Sequence, residues 1–99
     1  GSIHWSTQPG ASATLRFRGS SVEVGVRKGP SGGYANIYLD GELVQENVDT
    51  YGNPKQFQAP IYTNNNIPFG VHTITVEVVG EKNPNSRNVA VNLDYIKFE

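Results

Sequence analysis

Residues 28–42, KGPSGGYANIYLDGE, decide the fold. The stretch opens as a basic, glycine-rich loop, becomes an alternating run, and stops at Asp40-Gly41. Ala35, Ile37 and Leu39 take one side of that run, and Tyr34, Asn36, Tyr38 and Asp40 take the other. Period-two alternation of this kind marks a half-buried strand. Asp-Gly is a strong signal for a tight hairpin, because both residues accept the left-handed backbone such a turn requires. A strand therefore follows the loop, and a second strand returns from it. A phosphate-binding loop needs the opposite arrangement, with a helix after the loop whose first amides hold the anion. The loop is read as a connection between strands, with Gly32 and Gly33 relieving crowding. A second use remains open, as a rim where Arg27, Lys28 and exposed amides hold a ligand.

The same pattern extends outward in both directions. Ala13, Leu15 and Phe17 alternate with Thr14, Arg16 and Arg18, and Val22, Val24 and Val26 share one face of the next run. His72, Ile74, Val76 and Val78 oppose Thr73, Thr75 and Glu77. Residues 42–51 fit either a short helix or a strand, and their place directly after Asp-Gly favours the strand. In the last run Val91 and Leu93 are in phase, whereas Ile96 and Phe98 are one position out. A β-bulge near Asp94 would absorb the extra residue. Ile3 and Trp5 read as an edge strand. About eight short strands separated by turn-forming clusters specify an all-β, antiparallel β-sandwich.

The totals agree. The 99 residues suit one domain, expected over residues 3–99, with Gly1-Ser2 set aside as a pair of the kind that cloning leaves behind. Cysteine is absent, which excludes disulfides and thiolate metal sites. Eight basic and nine acidic residues are dispersed along the chain, without the basic excess that nucleic-acid binding requires. No apolar run reaches the roughly 20 residues of a membrane-spanning helix. No nucleic-acid or membrane partner is expected.

Catalysis finds little support. The two histidines are His4 and His72, and His72 falls on the apolar face of its strand, where a packed ring bonded to backbone is expected. A glycosidase needs two carboxyl groups set across a bond. Asp40 with Glu42, Glu46 with Asp49, and Glu77 with Glu81 are read as turn or strand-face residues instead. Calcium binds six to eight oxygens, commonly from loops and a few carboxylates. Asp94, at the phase break among oxygen-rich loops, is the candidate ligand for one structural calcium ion.

The aromatic residues carry more information. Trp5, Tyr34, Tyr38, Tyr51 and Tyr62 fall on polar strand faces or in loops, whereas Phe17, Phe57 and Phe98 fit apolar positions. Tyr and Trp join a broad apolar face to a polar tip. Stacked under a sugar ring, with Asn36, Arg27 and Lys28 reaching its hydroxyls, they would make a carbohydrate site. The candidate carbohydrate-binding residues are Trp5, Arg27, Lys28, Tyr34, Asn36, Tyr38, Tyr51 and Tyr62.

The order GASATLRFRGSSVEV, RKGPSGGYANIYLDGELV, VDTY, GVHTITVEVVGEKNPNS and VNLDYIKF resembles the galactose-binding-domain-like jelly-roll β-sandwiches, from about Gly10 to Phe98. It is most similar to the modules attached to bacterial glycoside hydrolases and cell-surface proteins. That resemblance implies non-catalytic binding of a polysaccharide or oligosaccharide, often with a structural calcium, in a secreted or surface-attached protein with further domains. Such modules often carry a tryptophan in the second strand, whereas Trp5 is the only tryptophan here. The alternatives are a structural or protein-interaction sandwich used as a spacer or adhesin unit, and a small hydrolase.

Overall fold

The computed structural model describes the backbone of residues 5–7 and all atoms of residues 12–99. Ile3 and His4 lie outside the described residues, as does the side chain of Trp5. Eight strands follow in chain order: β1 (Trp5–Thr7), β2 (Ser12–Gly19), β3 (Val22–Lys28), β4 (Tyr34–Leu39), β5 (Glu42–Asp49), β6 (Gln56–Asn64), β7 (Gly70–Val78) and β8 (Val91–Phe98). They form two four-stranded sheets, with order β1-β8-β3-β6 in sheet A and β2-β7-β4-β5 in sheet B. Every pairing between these strands is antiparallel. Residues 42–49 form the returning strand, and Asp40 and Gly41 both take positive φ, at 53° and 81°.

The alternation read from the sequence becomes the two inner faces. Val22, Val24 and Val26 of β3, with Val91, Leu93 and Ile96 of β8, line the core side of sheet A. Ala35, Ile37 and Leu39 of β4, with Ile74, Val76 and Val78 of β7, line that of sheet B. Ile37, Ile74, Leu93 and Ile96 are fully buried. Truncating such a side chain to alanine removes both its transfer energy and its packing, at a cost of about 2–5 kcal/mol. The sheets stack through this core as a β-sandwich.

Bulges mark where alternation fails. Val26 opposes Leu93 and Gly25 opposes Tyr95, so Asp94 is the extra residue on β8. Strand β6 slips against β3 twice, between Val24 and Gly25 and again between Val26 and Lys28. Gln58 sits in the second slip with φ of 51°. An extra residue reverses the side-chain phase beyond it, and this overturns two expectations. Phe57, expected at an apolar position, is 68% exposed. Tyr62, expected on a polar face, is directly opposite Val24 and packs partly buried against the core.

The glycine loop after β3 is the clasp of one end of the sandwich. Gly29 bridges Tyr51 and Gly32 bridges Ala90, both in parallel. Gly33 N donates to Ala90 O at 2.8 Å, and Thr50 Oγ1 donates to Gly33 O at 2.6 Å. A Cβ on Gly32 would run into the Thr50 carbonyl, and one on Gly33 into that of Val89. The two glycines therefore let three loops meet backbone to backbone.

Candidate functional site

The residues singled out in the sequence fall in several places. Tyr34, Asn36 and Tyr38 share the outer face of β4 in sheet B. Two of them are engaged by polar neighbours: Asn36 Nδ2 and Tyr38 OH both donate to Glu77 Oε1 at 3.1 Å, and Asn36 Oδ1 accepts the Asn47 amide at 2.9 Å. Thr14 and Thr75 form a separate pair on this sheet, their hydroxyls 2.9 Å apart. Lys28 and Tyr51 lie at the clasp, where Asp49 Oδ1 accepts the Tyr51 amide at 2.9 Å and Asp49 Oδ2 accepts from Asn83 Nδ2 at 3.0 Å. Tyr62 is at the core margin and accepts a bond from Asn64 Nδ2 at 3.1 Å. Trp5 lies in edge strand β1, its backbone paired with Leu93.

Arg27 and Asp94 come together on the outer face of sheet A. Arg27 follows the buried Val26 and so points away from the core, opposite Asn92 of β8. Asn92, between the buried Val91 and Leu93, shares that outward phase. The second slip of β6 sets Phe57 beside Arg27. A shallow pocket of about 110 Å³ is lined by Arg27, Phe57, Asn92, Leu93 and Asp94. Asp94 Oδ2 accepts the Gln58 amide at 2.8 Å, so the bulge of β8 pins the bulge of β6 across β3. Among the described residues, neither Arg27 nor Asn92 has a side-chain hydrogen bond or ion pair within the protein.

That bond crosses β3 near Gly25, where the ring of Tyr95 rests directly on the glycine backbone. Tyr95 OH donates to Glu23 Oε2 at 2.6 Å, and Thr63 Oγ1 donates to Glu23 Oε1 at 3.1 Å. Burial, with the Glu23 bond next, pushes the Tyr95 phenol up to about 12. The Tyr95 bond in turn lowers Glu23 below the usual carboxylate range, helped by Thr63 and Lys97 against a partial burial cost. Lys97 Nζ lies 5.2 Å from the Tyr95 ring centroid. Glu23, Thr63, Tyr95 and Lys97 thus form a braced aromatic and charged cluster on sheet A, next in sequence to Asp94 through Tyr95.

The arrangement joins an exposed ring to a guanidinium, an amide and a carboxylate. Such a surface suits a ligand with an apolar face and a hydroxylated edge. Around Asp94 the side chains offer few of the oxygens that calcium takes. One carboxylate oxygen is held by Gln58, Arg27 borders the same pocket, and no group of three or more Asp, Glu, His or Cys residues able to hold a metal occurs among the described residues. Asn92 was readable from its phase between Val91 and Leu93. Phe57 was not, because its exposure depends on a strand slip that leaves only a glutamine on either side as a trace.

Comparison with known proteins gives one context for this site. No family model matches the chain. The chain is 36% identical over 91 residues to an A type blood alpha-D-galactosamine galactosaminidase of Flavonifractor plautii. The match covers 92% of this chain and 8% of that protein. The chain is thus similar to a small part of a large carbohydrate-active enzyme.

Proposed function

We propose that residues 3–99 form a non-catalytic carbohydrate-binding module of the jelly-roll, galactose-binding-like kind. It is joined to further domains of a larger, secreted or surface-attached bacterial protein, which it holds against a polysaccharide or oligosaccharide. The observation that supports this most is the exposed Phe57 beside Arg27, Asn92 and Asp94 on the outer face of sheet A. A sugar ring lays its C–H face on Phe57. Arg27 donates to its hydroxyls, Asn92 donates or accepts, and the outer oxygen of Asp94 accepts. The relative acts on galactosamine glycans, so glycans bearing galactosamine come first among candidate ligands.

A non-catalytic role accords with how the carboxylates are used. Asp40, Asp49 and Glu77 each accept hydrogen bonds from the protein's own groups, so they act as anchors of turns and strands. The other sequence candidates, Trp5, Lys28, Tyr34, Asn36, Tyr38, Tyr51 and Tyr62, form the comparison set for mutation. Sugar recognition in this reading rests on Phe57 and its polar neighbours, and a structural calcium at Asp94 is what the chelator arm of the test addresses.

The test is a binding screen of the domain against plant, bacterial and host glycans, with calcium and again with chelator. A hit that survives chelation and is lost in Phe57→Ala, with unchanged circular dichroism, supports the reading. A hit lost only with chelator would return calcium to the site. A hit unaffected by Phe57→Ala but lost in Tyr34→Ala or Trp5→Ala would move the site elsewhere. A blank across the panel would favour the spacer or protein-interaction role.

A further inference from the structure

His72 lies at the end of the sandwich opposite the glycine clasp, on the core-side phase of β7 with Ile74, Val76 and Val78. Its side chain is 12% exposed, and its ring centroid is 5.8 Å from that of Phe17. Both ring nitrogens face oxygen acceptors: Nδ1 is 2.6 Å from Asp40 Oδ2, and Nε2 is 2.6 Å from the Pro68 carbonyl oxygen. A carbonyl cannot donate. The Asp40 carboxylate already accepts at its other oxygen, from the Thr73 amide at 2.8 Å. Neutral imidazole has one N–H and imidazolium has two. With Asp40 ionised, only imidazolium satisfies both contacts.

We propose that protonated His72 is a clasp that fastens two separate segments, the Asp40-Gly41 turn and the loop carrying Pro68, to the start of β7, and that this end of the sandwich loosens when the ring loses its proton. The turn and β7 are also joined by Asp40 N donating to Thr73 O at 2.8 Å. The loop has its own anchor in the buried Ile67, next to Pro68. Loss of the ring's second proton would leave a lone pair facing either a carboxylate or a carbonyl, and one segment would be released.

The charges around the ring favour the clasp. Asp40 is the charged side chain that meets it. On β2 the contact is Phe17, backed by Phe98 of β8, while Arg16 and Arg18 alternate to the outer face. Glu42 at the start of β5 and Lys97 and Glu99 near the chain's end are exposed and make no bond to the ring among the described residues. The Asp40 bond, with the Pro68 carbonyl next, raises His72 above the usual imidazole value. The His72 bond, with the Thr73 amide next, lowers Asp40 below the usual carboxylate value. A raised histidine stabilises fully below its unfolded value, and the effect is lost as pH rises through the folded one. A lowered carboxylate loses its contribution as pH falls through its folded value. The clasp is complete between the two.

The experiment uses a His4→Gln background, so that one histidine titrates. Nitrogen-15 spectra of the ring are followed with pH, together with amide hydrogen exchange at Asp40 and Thr73, referenced to the core amide of Val76. The expected result is a ring still mostly protonated at both nitrogens at pH of about 6.5, with a midpoint above that ordinary value. Asp40→Asn is expected to lower that midpoint. Asp40 and Thr73 should lose protection relative to Val76 above the midpoint. A ring that is neutral at pH of about 6.5 overturns the proposal, as does unchanged relative protection across the midpoint. Should Asp40→Asn fail to fold, the spectra of the parent chain decide the matter alone.

Discussion

The outer faces of the two sheets carry similar residue types and use them differently. On sheet B, Asn36, Tyr38 and Glu77 bond one another, and Thr14 bonds Thr75. Their polar groups are already engaged by the fold. On sheet A the bulges of β6 and β8 interrupt the ladder, and they leave Phe57 exposed next to Arg27 and Asn92. Sheet B is bulged as well, where β4 and β5 shift register on both sides of Ile37 and Asn47 takes φ of 51°, but there Asn36 Oδ1 accepts the Asn47 amide. A bulge re-aims a side chain, and bulges often border binding sites. On sheet A, Arg27 and Asn92, the neighbours of Phe57, make no side-chain bond among the described residues. The outer face of sheet A around Phe57 is the candidate binding surface, and the outer face of sheet B is the surface to compare it with.

The contrast can be attacked at its weakest backbone point. Gly25→Ala would drive a Cβ into the Tyr95 ring, so the wall that Tyr95 makes over β3, beside the Asp94 bulge, must move. The expected loss of stability is up to about 3 kcal/mol, in the upper range for overpacking, measured by urea unfolding. Little change would mean that the wall is soft. Phe57→Ala should leave stability nearly unchanged, since the ring is exposed, and weaken sugar binding. An aromatic anchor truncated at the centre of an interface costs about 2 kcal/mol, or roughly 30-fold in Kd, readable by calorimetry.

The mirror experiment is on sheet B. Glu77→Ala should cost about 1 kcal/mol of stability, the net worth of a typical hydrogen-bond group, and leave Kd within about twofold. A large binding defect there would reverse the assignment of the faces. The smallest effect is spectroscopic. With the Tyr95 phenol pushed up to about 12, one tyrosine should ionise well above the ordinary value of about 10. The raised value means that its contribution to stability holds below about pH 10 and is lost as pH climbs toward 12. Ultraviolet titration of the parent chain and of Tyr95→Phe would isolate this phase.

The all-β, antiparallel architecture was legible because alternation, Asp-Gly and the turn clusters all point the same way. The bulge at Asp94 was legible too, since the apolar phase visibly shifts between Leu93 and Ile96. The crowding at Gly32 and Gly33 was anticipated from the loop alone. The positions of Phe57 and Tyr62 were not, because both depend on where β6 slips against β3. A slip belongs to a pair of strands and leaves no fixed mark in either one. Sequence likewise brought Arg27 and Asp94 forward separately, one as a sugar contact and the other as a metal ligand. Only strand order, with β8 and β6 flanking β3, puts them in one pocket. His72 was expected to bond backbone and does so at Pro68, whereas its partner Asp40 lies 32 positions away in sequence.

The most direct test of the account maps a bound glycan by amide chemical shifts. The domain, labelled with nitrogen-15, is titrated with the strongest binder from the glycan screen. The account predicts saturable shifts centred on Arg27, Phe57, Gln58, Asn92 and Asp94, with Asn36, Tyr38, Thr75 and Glu77 unmoved. Shifts centred on the second group, or on the clasp around Lys28 and Tyr51, would contradict it.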